Sequence, residues 1–178
     1  MKQDIILAGV GGQGILSIAT IIGEAATSAD VNLKQAEVHG MSQRGGDVQS
    51  NLRLSTEEIF SDLIPKGKAD IIISMEPMEC LRYLPYLSPE GIVVTSSKPF
   101  VNIPDYPDEA ALLDELKGLP HLEMRSLENN MTLLGMAAKH IGIISAEELR
   151  DAIARVFSAK GDEIVEKNQK AFDEGFNN

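Results

Sequence analysis

Two glycine-rich stretches hold the residues best suited to chemistry. Gly9-Val10-Gly11-Gly12-Gln13-Gly14 sets Gly9, Gly11 and Gly14 at G-x-G-x-x-G spacing, between the apolar run Ile5 to Ala8 and a helical pattern that opens at Ile15. Glycines there permit a tight turn and close backbone approach, and amides exposed at a helix amino terminus favour an anion such as phosphate. The second stretch, Gln43-Arg44-Gly45-Gly46, joins backbone free to take left-handed angles to a guanidinium that presents a planar fork of donors. Carried beside the first turn, it would complete a small anion-binding concavity. A branched side chain at Gly12 is expected to block both positive φ and close approach.

Other readings stay open for both stretches. The first turn could serve only to pack the helix on the first strand. It could also bind a nicotinamide dinucleotide, for which Glu37 would be the acidic residue ending the second strand. Arg44 could pair with a carboxylate of a partner chain or of a neighbouring loop, and the chain carries 27 acidic residues.

The remaining polar residues do not assemble into a reaction centre. His39 has neither an orienting carboxylate nor a nucleophile beside it in sequence, and His121 and His140 stand alone as surface or core-edge residues. Glu76 and Glu79 flank Pro77 and read as helix-start carboxylates facing the dipole. Cys80, beside Leu81, reads as a buried small hydrophobe. One cysteine forms no internal disulfide and holds neither an iron–sulfur cluster nor a structural zinc. Backbone-shaping glycines and one Arg make a binding or assembly module, with no catalytic residue and no metal site.

The elements that must position these residues alternate along the chain. Ile5 to Ala8, Asn32 to Val38, Asp70 to Met75 and Gly91 to Ser96 read as strands, and His121 to Leu127 as a last one. Asp47 to Leu54 alternates apolar and polar, which predicts a strand near the sheet's edge and allows it to be antiparallel. Helical patterns cover Ile15 to Ala29, Met78 to Leu87, Asp108 to Leu116 and Met131 to His140. Ser145 to Glu148 is a capping-box signature for Glu147 to Phe157, and Asp162 to Phe172 follows. Lys98 to Asp108, with three prolines, is a loop. The pattern predicts an α/β, Rossmann-like three-layer sandwich: a mostly parallel sheet, helices on both faces and a helical C-terminal end. No repeat or linker divides residues 1–178, so a single domain is expected.

Composition excludes some partners. A net charge of −11 argues against nucleic acid and anionic membrane, which both reward clustered Lys and Arg. No apolar run approaches the length that crosses a bilayer, and the start of the chain lacks a signal peptide's apolar core, so a cytoplasmic protein is expected. With 4% aromatic residues and no Trp, the core must be built from Ile, Leu, Val, Ala and Met.

The two motifs together, Gly9 to Ile15 and Glu37 to Gly46, resemble the gamma-type domain of pyruvate and 2-oxoacid:ferredoxin oxidoreductases. The wording His39-Gly40-Met41-Ser42-Gln43-Arg44-Gly45-Gly46 is most similar to beta subunits of the indolepyruvate branch. Asn130-Met131 with Leu134-Gly135, and Asn168, Ala171, Phe172 and Gly175 along the tail, resemble the family as well, so the likeness spans essentially the whole chain. It implies a subunit of a complex that oxidatively decarboxylates arylpyruvates to aryl-acetyl-CoA and passes electrons to ferredoxin. It implies thiamine diphosphate and iron–sulfur clusters in a large alpha subunit, coenzyme A as co-substrate, and a chain inactive by itself. Another 2-oxoacid (pyruvate, oxoglutarate or a branched-chain acid) remains the alternative. Under the resemblance, Gly9, Gly11, Gly12, Gln13, Gly14, Gln43, Arg44, Gly45 and Gly46 become candidates for coenzyme A phosphate or subunit contact.

Overall fold

Alternation along one strand decides the centre of the molecule. In β1 (Lys2–Val10), Ile5 and Leu7 point to one side and Ile6 and Ala8 to the other, and all four are fully buried. A strand buried on both faces needs cover above and below. The computed structural model describes residues 1–39, 46–101 and 103–178. After β1 come α1 (Ile15–Ser28), β2 (Asn32–His39), β3 (Asp47–Ser55), β4 (Ala69–Ser74), α2 (Pro77–Tyr83) and β5 (Leu87–Ser96). Then follow α3 (Glu109–Lys117), β6 (Leu122–Arg125), α4 (Asn130–Ala138), α5 (Ala146–Phe157) and α6 (Asp162–Asn177).

The strands form one six-stranded sheet in the order β2-β3-β1-β4-β5-β6. Pairings from β1 through β4 and β5 to β6 are parallel, while β3 runs antiparallel to both β1 and β2. Helices α1, α4, α5 and α6 pack on the face that carries Ile5, Leu7, Leu52, Ile71, Ile73 and Val94. Helices α2 and α3 pack on the face that carries Ile6, Ala8, Ile72 and Val93, through Cys80, Tyr83 and Leu116. The expected three-layer α/β sandwich is observed, and Asp47 to Leu54 is indeed an antiparallel strand near the edge.

Some boundaries differ from the expected ones. α2 stops at Tyr83 instead of running to Leu87, because Pro85 has no amide to continue the ladder. β5 begins at Leu87, ahead of Gly91, and its register against β4 slips between Ala69 and Ile71. A Cβ on Gly91 would stand 2.8 Å from the Ala69 carbonyl oxygen, so glycine is what lets the shifted strand lie close. α6 continues past Phe172 to Asn177. His140 does not stand alone: its Nε2 lies 2.9 Å from Glu123, which Lys139 also reaches at 2.5 Å.

The capping box is present in full. The Ser145 hydroxyl accepts from the Glu148 amide at 3.1 Å, and the Glu148 carboxylate accepts from the Ser145 amide at 2.7 Å. That backbone donor, followed by the hydroxyl, holds the Glu148 carboxyl below its usual range. A lowered acid contributes stability above the ordinary carboxylate range and loses it as pH falls through the lowered value. Ser145→Ala is therefore expected to cost about 1 kcal/mol in urea unfolding at neutral pH. The cost should shrink at acid pH, where Glu148 is protonated; an equal cost there would show that the hydroxyl-to-carboxylate bond adds nothing, since the backbone donor survives the substitution.

Candidate functional site

Chain direction places the site. α1 leaves β1 toward one face and α2 leaves the neighbouring β4 toward the other, so a crevice opens between the carboxyl ends of these two strands. The glycine turn forms its first wall. Gly14 closes the turn as the α1 N-cap at φ 78°, ψ 24°, and Gly12 sits at φ 102°. A Cβ on Gly14 would stand 2.4 Å from the Asn130 amide nitrogen, which donates to the Gly14 carbonyl at 3.0 Å. A Cβ on Gly9 would meet the Ile15 side chain at 2.7 Å, so glycine there lets the start of α1 lie close to the end of β1. Gly12 differs from expectation in one respect. Its angle needs glycine, but nothing lies within 4 Å of where a Cβ would point.

Gln13 is a stitch across the strand ends. Its side-chain oxygen accepts from the Val10 amide at 2.8 Å, and its nitrogen reaches the Met75 carbonyl at 3.4 Å. Both ends of that side chain are engaged with backbone, so its first role is to hold the turn against β4.

The two glycine stretches meet. The Gly11 amide donates to the Gly46 carbonyl at 2.9 Å, because antiparallel β3 starts at Asp47 opposite Val10, where β1 ends. Gln43, Arg44 and Gly45 lie outside the described residues. The same inserted strand separates β2 from β1. Glu37 pairs in register with Ser50, and Ser50 with Leu7, which sets Glu37 two strands, about 10 Å, from β1. A dinucleotide site wants its acidic residue on the strand next to the glycine turn, and β3 occupies that place.

Sequence reasoning missed the rest of the crevice. It is a cleft of about 480 Å³ whose other walls are Met75 after β4, Lys98 to Phe100 after β5, and Leu127, Glu128 and Asn130 after β6. Lys98 and Glu128 form an ion pair at the cleft. The usable signal was topological: ligands of open parallel sheets sit beyond the carboxyl ends of the strands, so every loop at that end is a candidate.

Glu76 anchors this region. It is fully buried, caps α2 by accepting from the Glu79 amide at 2.8 Å, accepts from the Phe100 amide at 3.3 Å, and accepts from the Tyr106 hydroxyl. Burial and then the bond to Glu76 push the Tyr106 phenol well above its usual range, so it stays a donor. Glu79, raised by burial with Arg82 pulling the other way, pairs with Arg82 at 2.9 Å. The helix-start reading of both carboxylates holds, and Glu76 does more than cap.

Cys80 is fully buried and its thiol is pushed up to about 12 by desolvation. A lone, buried, protonated thiol does not fit an iron–sulfur cluster. Among the described residues no three His, Cys, Asp or Glu side chains group as metal ligands, and no described helix is long and apolar enough to cross a membrane.

Residues 4–178 match the family model for pyruvate ferredoxin/flavodoxin oxidoreductase. The chain belongs to this family. The resemblance read from the two glycine motifs is thereby borne out. One relative in this oxidoreductase family, indolepyruvate oxidoreductase subunit IorB of Methanothermobacter thermautotrophicus, is 35% identical over 99% of this chain and 97% of its own length. The 2-oxoglutarate synthase subunit KorC of Methanocaldococcus jannaschii is 30% identical over 99% of this chain and 93% of its own. A pyruvate oxidoreductase subunit from Thermotoga maritima shares the fold with a TM-score of 0.74 at 18% identity, covering 99% of this chain and 96% of that one.

Proposed function

We propose that residues 1–178 work as one domain, the small subunit of an indolepyruvate:ferredoxin oxidoreductase that converts aryl 2-oxoacids to aryl-acetyl-CoA. The observation that carries the choice of substrate is the 35% identity along the whole chain to an indolepyruvate oxidoreductase subunit, against 30% to a 2-oxoglutarate one. In this reading, thiamine diphosphate and the iron–sulfur clusters belong to a large alpha subunit, electrons leave to ferredoxin, and the complex works in the cytoplasm. Thiamine diphosphate supplies the carbanion stabilisation that decarboxylation needs.

This chain's own contribution is binding. The amides of Gly12 and Gly14 and of the start of α1 form a partly positive wall, and Lys98 can turn from Glu128 toward a phosphate. Coenzyme A phosphates suit that wall. Gln13 and Asn130 hold it in place. Gln43, Arg44, Gly45 and Gly46 are candidates in this reading for contact with a coenzyme A phosphate or with the large subunit.

Native purification tests the reading. The chain should bring down a large, brown partner containing thiamine and iron. The complex should reduce ferredoxin with indolepyruvate and coenzyme A faster than with pyruvate or oxoglutarate, and the separated chain should reduce none. A stable homodimer carrying NAD, or a complex that prefers oxoglutarate, would overturn it.

A further inference from the structure

Phe100 stands out against the rest of the cleft. Among the described residues that line it, Phe100 is the one aromatic, and the residue is 44% exposed at a lining that also holds Met75, Pro99 and Leu127. An exposed aromatic in a loop would ordinarily be free to fold away. Here its backbone is tied down from beneath. The Phe100 amide donates to Glu76, whose carboxyl is fully buried and is shared with Tyr106 six residues further along the same loop. Taking a carboxyl group out of water is unfavourable unless donors surround it, and Glu79, Phe100 and Tyr106 supply three. The fold thus uses a buried carboxyl to fix a loop whose product is a presented ring.

The cleft is mixed in character. Its lining joins the glycine turn, Gly12 to Gly14, and the polar Lys98, Glu128 and Asn130 to the apolar Met75, Pro99, Phe100 and Leu127. A ligand with phosphates at one end and a flat base at the other matches both kinds of lining.

We propose that Phe100 is the stacking platform for the purine base of a bound adenosine phosphate, and that Glu76 is the residue that positions it. This rests on the coenzyme A reading and deepens it: the cleft takes the nucleotide end of coenzyme A, and the thiol arm points outward toward the partner subunit.

Titration of the full chain with coenzyme A, adenosine 3′,5′-bisphosphate and pantetheine separates the possibilities. Wild type should bind the first two comparably and pantetheine weakly or not at all. Phe100→Leu, which keeps apolar volume but no ring, should weaken both nucleotides at least fivefold, the low end of what one base–aromatic stack contributes. Phe100→Tyr should restore binding. Tyr106→Phe should give a smaller loss with an unchanged far-ultraviolet spectrum. If wild type binds coenzyme A and Phe100→Leu binds it equally well, this inference falls and the coenzyme A reading stands. If pantetheine binds as tightly as coenzyme A, the orientation is reversed and the inference falls likewise. If wild type binds none of the three, both fall.

Discussion

Gly135→Ala is expected to destabilise the chain by about 3 kcal/mol, the upper range for forcing volume into a packed interior. α4 and α6 touch backbone to backbone. A Cβ on Gly135 would stand 2.0 Å from the Phe172 carbonyl oxygen, and a Cβ on Gly175 would stand 2.0 Å from the Thr132 carbonyl oxygen. Neither obstacle is the end of a flexible side chain, so the helices must separate. Phe172, fully buried between them, would lose its packing. Gly175→Ala should behave alike. Gly118→Ala, at ordinary helical angles and 3.3 Å from the nearest obstacle, serves as the control and should stay within about 0.5 kcal/mol. Urea unfolding decides; a loss below about 1 kcal/mol at Gly135 would mean the two helices yield more easily than their contact implies.

Gly14→Val should damage the cleft as well as the fold. Its left-handed backbone disfavours any side chain by about 1–2 kcal/mol. The added carbon would also displace Asn130, breaking the bond that joins the start of α1 to the start of α4. Both helix starts border the cleft, so coenzyme A binding should fall at least tenfold while unfolding shows a loss of about 2–3 kcal/mol. Gly12→Ala is the instructive contrast. It carries the same kind of angular strain but points into open space, so it should cost only about 1–2 kcal/mol. Equal effects at the two positions would show that the Asn130 contact is unimportant.

Most of the scaffold was legible before any coordinates. Apolar periodicity marks an element's buried side, caps mark its ends, and G-x-G-x-x-G between a strand and a helix specifies a turn of known shape. Hence the pattern places the strands and helices of the described residues, and it pairs Ser145 with Glu148. The end of α2 differs because of Pro85 within the helical pattern, and the start of β5 because its register against β4 slips, which only pairing reveals.

Gly135 and Gly175 show the limit well. Both were noted as part of the family likeness, but nothing in their neighbourhoods says that they face each other's helices. Periodicity records that a face is buried and is silent on what buries it. The same holds for β3: alternation showed a strand with one wet face, yet only the sheet order revealed that it enters between β1 and β2 and removes Glu37 from the glycine turn.

By itself, then, the sequence determined the alternation of elements, the glycine turn after β1 and the absence of cluster ligands, because these depend on residue type and short spacing. Tertiary structure alone decided that Lys98, Phe100 and Asn130 share a cleft with Gly12 and Gly14, and that Glu76 holds Phe100 across 24 residues of chain. Parallel strands return to the same edge only after a crossover, so the loops that build one site lie far apart in sequence, and no local pattern records their meeting.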